Sequence, residues 1–184
     1  MAQTWRVTEA RHRKPRPPLD VEALERIALF YVGRYATSRF KLTTFLGRKL
    51  KERGWAGNDK APVDALVERL AGLGYIDDGA FASARAASLQ RRGYGARRVE
   101  QALYAAGIAD EDAAGAKADA REGALAAALR YAERKRLGPY APAVPDRAAH
   151  QRAFAAMMRA GHPVDIARRL LAMAPGEVPD PDAR

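Results

Sequence analysis

Apolar residues recur at steps of three and four along most of the chain, which is the spacing of one face of an α-helix. Glycine and proline interrupt this pattern at intervals and mark the ends of the predicted helices. The first five predicted helices begin near Asp20, Ser38, Pro62, Asp77 and Gly95. Residues from Asp110 to Arg136 are predicted as one helix or two joined near Gly123. Two last helices are predicted at about 147–160 and 164–173.

Composition supports helices over strands. Of the 88 apolar residues 41 are alanine, whereas valine and isoleucine together number only 13. Sheets favour β-branched and aromatic side chains, while alanine has the highest helix propensity. We therefore expect an all-α protein whose helices pack closely through small side chains.

Three of the predicted helices end in the same way. Each has an apolar residue four positions before a terminal glycine and another eight positions before it, and the glycine spacings of 53 and 54 are nearly constant. The sets are Leu46, Leu50 and Gly54; Val99, Leu103 and Gly107; and Ala153, Met157 and Gly161. A repeat of this length predicts tandem supersecondary units that complete one another's cores.

The division of the chain follows from this repeat and from composition. Residues 1–18 carry five cations, one acid and three prolines, which is typical of a disordered basic arm. We predict helical repeats at 19–73, 74–109 and 110–174, with the second as the middle unit, and a flexible tail at 175–184.

The formal net charge of +10 favours an anionic partner such as nucleic acid. The absence of cysteine excludes disulfides, thiolate zinc sites and cysteine nucleophiles. No apolar run exceeds six residues, so neither a membrane span nor a secretory signal core is predicted. We expect a cytoplasmic, monomeric protein.

The most distinctive acidic segment spans residues 74–82, Gly-Tyr-Ile-Asp-Asp-Gly-Ala-Phe-Ala. With Asp77 as N-cap, Ile76 and Phe81 occupy the two positions of a hydrophobic staple, and Asp78 faces the positive end of the helix dipole. A divalent cation would need further oxygen ligands, which no acidic cluster supplies. The segment is therefore interpreted as structural, with Tyr75, Ile76, Asp77, Asp78, Phe81 and Ala82 as its members.

The basic residues expected to contact a partner form two groups, and later helices repeat the theme with Arg130, Arg134, Lys135, Arg136, Arg168 and Arg169. The first surrounds a Gly-Tyr-Gly turn and contains Arg85, Arg91, Arg92, Arg97 and Arg98, with Gly93 and Gly95 shaping the turn. The second lies on the second helix and contains Lys41, Arg48, Lys49 and Lys51. Arg97 and Arg98 oppose the dipole of their own helix, at a cost of about 0.3–1 kcal/mol each when exposed. Either an anionic partner offsets this cost, or the arginines form a solvated face around a core tyrosine.

Enzyme signatures are lacking. The sequence contains no phosphate-binding Gly-rich loop, no dinucleotide fingerprint after a strand, and no H-E-x-x-H zinc motif. The three histidines are isolated from one another. We therefore expect neither catalytic residues nor a cofactor.

Two segments together resemble the RecX family of bacterial proteins that regulate the RecA recombinase. They are Gly-Tyr-Ile-Asp-Asp-x-x-Phe-Ala at 74–82 and Arg-Gly-Tyr-Gly-x-Arg-Arg-Val-x-x-x-Leu-x-x-x-Gly-Ile at 92–108, and weaker similarity extends from about Leu24 to Leu171. The resemblance implies three tandem three-helix units in an elongated, curved molecule. It also implies binding in the groove of the RecA filament on single-stranded DNA, and thereby a role in recombination, DNA repair and the SOS response.

The resemblance carries specific residues with it. Arg92, Arg97 and Arg98 match the family pattern and are the expected contacts, while Tyr75, Ile76, Asp77, Phe81 and Ala82 are the expected core of the middle unit. The chain departs from the pattern at Lys41, where a glutamate would complete a capping box, and at His162, where an aromatic residue is common. The sequence hypothesis is a non-enzymatic modulator, an inhibitor of RecA, and the alternative is a protein that grips DNA phosphates directly.

Overall fold

The computed structural model describes residues 16–179, and within that range its regular elements are helical apart from an isolated bridge between Leu19 and Trp55. The helices are α1 (Val21–Arg34), α2 (Arg39–Arg53), α3 (Val63–Gly72), α4 (Asp78–Arg91), α5 (Ala96–Tyr104), α6 (Asp110–Glu122), α7 (Ala124–Lys135), α8 (Arg147–Arg159) and α9 (Val164–Ala172). A 3₁₀ turn at Gly138–Tyr140 follows α7. The predicted all-α class is confirmed.

The predicted arm and tail fall largely outside the described residues. Of the arm, only 16–18 are described, and the carbonyl of Pro17 accepts hydrogen bonds from the guanidinium of Arg53 at 2.8 and 3.0 Å. Of the tail, 175–179 are described, and the amide of Gly176 donates to the carbonyl of Pro139 at 2.8 Å. These described flanks are therefore tied to the helical body by hydrogen bonds.

Four helices begin at the side-chain caps that their sequences favour. The carboxylate or hydroxyl of the N-cap residue accepts a hydrogen bond from the amide three positions later, which satisfies one of the unpaired amides of the first turn. The caps are Asp20 of α1, Ser38 of α2, Asp77 of α4 and Asp146 of α8, with oxygen–nitrogen distances of 2.7, 3.2, 2.8 and 2.6 Å.

The buried side chains form three cores along the chain. The first lies among α1, α2 and α3, and the third among α7, α8 and α9. The middle core combines α4, α5 and α6, with Val99 and Leu103 fully buried at its centre. Each core thus belongs to a group of three helices.

The middle core extends farther than the sequence pattern indicates. Residues 110–122 were expected in the third repeat, but Ala113, Ala116 and Ala120 of α6 are buried in the middle core. An alanine face lets α6 approach α4 closely, and α6 packs more extensively on α4 than on α7. The cores therefore divide near Gly123, at the break between α6 and α7.

The repeated glycines end the second helix of each group, at α2, α5 and α8. Gly54, Gly107 and Gly161 have φ of 82°, 66° and 87°, in the left-handed region where glycine carries no Cβ penalty. The apolar residues of the repeat pack into the three cores, as the pattern predicts.

These second helices meet end to end. At one junction the carbonyls of Ala160 and Gly161, which follow α8, accept hydrogen bonds from the amides of Gly95 and Arg97 at 3.0 and 3.2 Å. At the other, the hydroxyl of Ser38 donates to the carbonyl of Ala106, which follows α5, at 2.7 Å. The unpaired groups at one helix end are thus satisfied by the start of the next helix in space.

Of the five residues expected in the core of the middle unit, Tyr75, Ile76 and Asp77 lie outside it, and Asp77 is the exposed N-cap of α4. Tyr75 is 53% exposed, so its expected core position is wrong. Ile76 is buried, but it packs in the first core. Ala82 is buried in the middle core, and Phe81 is half-buried against it. Tyr75 and Ile76 therefore belong to the segment that connects the first helical group to the middle one.

Candidate functional site

An open groove of about 360 Å³ brings together basic residues from α2, α4 and α5. Lys41, Arg85, Arg92 and Arg98 line it, beside Tyr94, Gln101 and small apolar side chains. Its lining contains no carboxylate among the described residues. Four of the nine basic residues predicted as contacts therefore meet in one concave surface, which we call the basic groove.

The groove cations differ in their pairing from other cations of the chain. Within residues 16–179, none of the four lies within 4.0 Å of a carboxylate oxygen. Arg48 and Lys49, by contrast, lie 3.8 and 2.6 Å from Glu52. The hydrogen bond from Lys49 lowers the pKa of Glu52, with the charges of Lys49, Arg48 and Arg16 adding to the effect.

The remaining predicted contacts lie outside the groove lining. Lys51, Arg91 and Arg97 are exposed, and Arg97 occupies the junction between α8 and α5 through its backbone. The structure thus separates the nine candidates into four groove residues, two residues paired with Glu52, and three exposed residues beyond the groove.

A second basic hollow adjoins the groove on the side of the third helical group. Arg134, Lys135 and Arg159 line it together with Tyr94 and Tyr131. Tyr94 lines both depressions and therefore forms the wall between them. The basic run at 134–136 is visible in the sequence, but Arg159 joins it only because the end of α8 packs against the start of α5.

Aromatic rings hold several of these cations in place. The Lys41 Nζ lies 4.6 Å from the centre of the Phe81 ring, and the Arg92 guanidinium lies 5.5 Å from that of Tyr94. Both distances are within the range of cation–π attraction. Lys41, which departs from the family's capping box, is thus directed toward α4.

The carboxylates of the 74–82 segment have structural partners. Asp77 caps α4, and Asp78 binds Arg39 at the start of α2. Partial burial lowers the pKa of Arg39, but the hydrogen bond and charge of Asp78, with smaller contributions from Glu68 and Asp112, raise it above its ordinary value. Across residues 16–179, no group of three or more acidic or histidine side chains could hold a metal ion.

His162 lies behind the second hollow, at the start of the turn into α9. It is 1% exposed, and its ring centre is 5.2 Å from that of Tyr131. Burial lowers the pKa of His162 to about 4, with the backbone of Gly93 acting in the opposite direction. The residue is therefore a neutral core histidine at neutral pH.

None of the described helices is long and apolar enough to cross a membrane.

Residues 77–116 match the family model described as the second three-helix domain of RecX, which covers α4, α5 and the first half of α6. This match includes residues 110–116 of α6 and so agrees with the extent of the middle core.

Known proteins extend this similarity to most of the chain. A regulatory protein RecX from Myxococcus xanthus is 33% identical over 171 residues, which span 88% of this chain and 91% of that protein. A regulatory protein RecX from Agrobacterium fabrum is 29% identical over 157 residues, or 83% and 84% of the two chains.

Solved structures show the same fold. The crystal structure of RecX from Lactobacillus salivarius superposes with a TM-score of 0.63 over 82% of this chain and 93% of that one, at 18% identity. A second crystal structure of a regulatory protein RecX gives a TM-score of 0.58 over 82% and 72%, also at 18% identity. The chain belongs to the RecX family of regulatory proteins.

Proposed function

We propose that the protein is a non-enzymatic regulator of the RecA recombinase, which binds the RecA filament on single-stranded DNA and inhibits strand exchange. It would act in the cytoplasm, without a cofactor, in recombination, DNA repair and the SOS response. Membership of a family of regulatory proteins supports the regulatory role. The basic groove supports an anionic partner.

The observation that carries this proposal is the clustering of unpaired cations in the basic groove. Arg85, Arg92 and Arg98 share this surface with Lys41, and no carboxylate from the described part of the chain lines it. Like charges held together repel one another, and an anion placed between them relieves the repulsion. A filament that contains DNA presents a dense array of such anions.

The position of the groove favours an extended partner. Its lining comes from the first and middle helical groups, and the adjoining hollow adds side chains from the third. A partner that follows both depressions would touch all three groups. Such a partner is expected to be extended, with anionic groups that recur along its length.

Direct binding to DNA, without RecA, is the second candidate, because the same cations would fit phosphates of the nucleic acid alone. The two functions differ in their response to salt. Phosphate contacts alone lose affinity steeply as salt rises, whereas contacts to protein leave a part that resists salt. Only the first function changes the activity of RecA at concentrations where DNA alone is not bound.

The test is a titration into a RecA ATPase assay on single-stranded DNA, with binding to the same DNA measured without RecA. The double variant Arg85→Glu with Arg92→Glu changes two groove residues and should require at least about tenfold more protein for the same inhibition. Its matched control, Arg26→Glu with Lys60→Glu, makes the same change in net charge at two exposed residues outside the groove.

The control should inhibit RecA as the unaltered protein does. Equal inhibition by both double variants would contradict the role of the groove. An unaltered protein that binds DNA but leaves RecA activity unchanged would support the second candidate instead.

A further inference from the structure

We propose that Tyr94 separates two phosphate-binding subsites for a single strand of nucleic acid, and that Arg134 is the central residue of the second. The first subsite is the basic groove and the second is the adjoining hollow. The inference rests on the proposed function only in taking nucleic acid as the ligand. It assigns Arg134 a specific binding role, beyond its membership of the basic run at 134–136.

Arg134 is held in one orientation before any ligand arrives. Its guanidinium donates a hydrogen bond to the carbonyl of Arg92. The same group lies 5.9 Å from the ring centre of Tyr94 and 5.5 Å from that of Tyr131. A guanidinium has five N–H donors, so this contact leaves others for an anion. Because its orientation is already fixed, less side-chain entropy is lost on binding.

Tyr94 is itself fixed as the wall between the subsites. Its amide donates to the carbonyl of Leu89 at 3.0 Å, and its ring packs against both the middle and the third cores. The preceding residue, Gly93, approaches the α7 backbone so closely that a Cβ there would lie 2.8 Å from the amide nitrogen of Tyr131. The two groups of helices therefore meet around this ring.

The arrangement of charge favours phosphates over a carboxylate ligand from protein. The hollow has three cations, Arg134, Lys135 and Arg159, and within residues 16–179 no carboxylate lines either it or the groove. Two adjoining cationic depressions suit an anion that recurs along one flexible polymer. Guanidinium groups match phosphate oxygens through paired hydrogen bonds. The backbone of a single strand provides such anions at regular intervals.

The experiment measures binding of the full-length protein to fluorescein-labelled oligothymidylate at several salt concentrations, without RecA. Arg134→Gln should lower affinity at low salt severalfold and reduce the slope of log affinity against log salt by about 0.7, the loss of one phosphate contact on a single strand. Arg130→Gln is the matched control. Arg130 lies one turn earlier on α7 and donates to the carbonyl of Gln90 at 3.4 Å, but it lines neither subsite. Its slope should not change.

Two variants of Tyr94 test whether its ring is needed between the two subsites. Tyr94→Phe keeps the ring and should bind as the unaltered protein does, whereas Tyr94→Leu removes the cation–π contacts and should weaken binding. Thermal melts of all variants show whether a loss of binding follows a loss of folding. If Arg134→Gln lowers stability too far, Arg134→Lys keeps the charge without the fixed orientation and should also weaken binding.

Three results would overturn the inference. They are equal slopes for Arg134→Gln and Arg130→Gln, unchanged binding by Tyr94→Leu, and displacement of the oligonucleotide by polyglutamate as readily as by unlabelled oligothymidylate. The RecA ATPase assay separates this failure from that of the proposed function. If the unaltered protein inhibits RecA but Arg134→Gln binds the oligonucleotide normally, the proposed function stands and the proposed second subsite is wrong.

Discussion

The carboxylate of Asp78, the first residue of α4, binds the first residue of α2. Its Oδ1 accepts a hydrogen bond from the backbone amide of Arg39 at 3.0 Å, and its Oδ2 accepts one from the Arg39 guanidinium at 3.3 Å. Asp78 is only 6% exposed. The sequence places this carboxylate at the dipole of its own helix, but the structure shows that it also satisfies an unpaired amide of another helix.

Asp78→Ala should therefore destabilise the protein by about 2–3 kcal/mol, because it removes charge-assisted hydrogen bonds and leaves a partly buried amide without its partner. Asp77→Ala removes only a cap at a more exposed position and should cost about 0.5–2 kcal/mol. Urea unfolding of both variants measures the two free energies. An Asp78 variant that is more stable than the Asp77 variant would contradict the role of Asp78 between the helical groups.

The junction between α8 and α5 is predicted to be intolerant of any side chain at Gly95. A Cβ there would overlap the carbonyl of Gly161, so Gly95→Ala must push the two helix ends apart. We expect a loss of about 1–3 kcal/mol. Gly115 in α6 is the control, because a Cβ there meets nothing within 4 Å.

Gly115→Ala should raise stability by about 0.4–1 kcal/mol, since it lowers the entropy of the unfolded chain and favours the helix. Thermal melts of the two variants should shift in opposite directions. A neutral Gly95→Ala would show that the helix ends can separate without cost.

Periodicity and capping residues were sufficient to predict the helices. The caps Asp20, Ser38 and Asp77, and the repeated terminal glycines, act within a few residues of where they stand, so their effect is visible in the local sequence. The same reasoning left open one helix or two joined near Gly123, and the structure has two.

Contacts between helical groups could not be predicted in the same way. Ala113 and Ala116 belong to the middle core because α6 lies on α4. Their three-residue spacing marks a buried helix face, but it does not indicate which core that face enters. Similarly, Lys41 and Arg98 are 57 residues apart in sequence and share a groove through the junction of α5 with α2, which no local pattern records. Arg48, which shares a helix with Lys41, is instead paired with Glu52.

The buried histidine predicts a loss of stability on acidification. In the unfolded chain His162 takes up a proton near pH 6.5, but in the folded protein only near pH 4. Between these values the unfolded state binds more protons, so stability is complete above about pH 6.5 and falls as the pH drops toward 4. The loss between pH 7 and pH 5 should be about 2 kcal/mol.

His162→Phe tests this cause, because it keeps a ring against Tyr131 and cannot be protonated. Urea unfolding at pH 7 and pH 5 should show a smaller loss for the variant than for the unaltered protein, by about 2 kcal/mol. Other titrating groups contribute equally to both proteins and cancel in this comparison. The same loss in both would exclude His162 as its source.

Arg97 and Arg98 provide a test of charge at a helix junction. From the sequence, reversing both charges should keep or slightly raise stability, because the cations oppose the dipole at the start of α5. In the structure, the carbonyls of Ala160 and Gly161 face the same place, and the negative end of α8 favours a cation there. The two dipole effects oppose each other. The double variant Arg97→Glu with Arg98→Glu should therefore change stability by less than about 1 kcal/mol.

Binding to the RecA filament should respond much more strongly. Arg98 lines the basic groove, so its reversal places an anion where the ligand's anions are expected. The comparison variant Lys49→Glu with Lys51→Glu carries the same change in net charge outside the groove lining, and it should weaken binding less. A melt paired with filament binding at two salt concentrations measures both effects. A double arginine variant that melts early and still binds normally would show that Arg97 and Arg98 serve the junction of α8 with α5, and that the ligand does not enter this part of the groove.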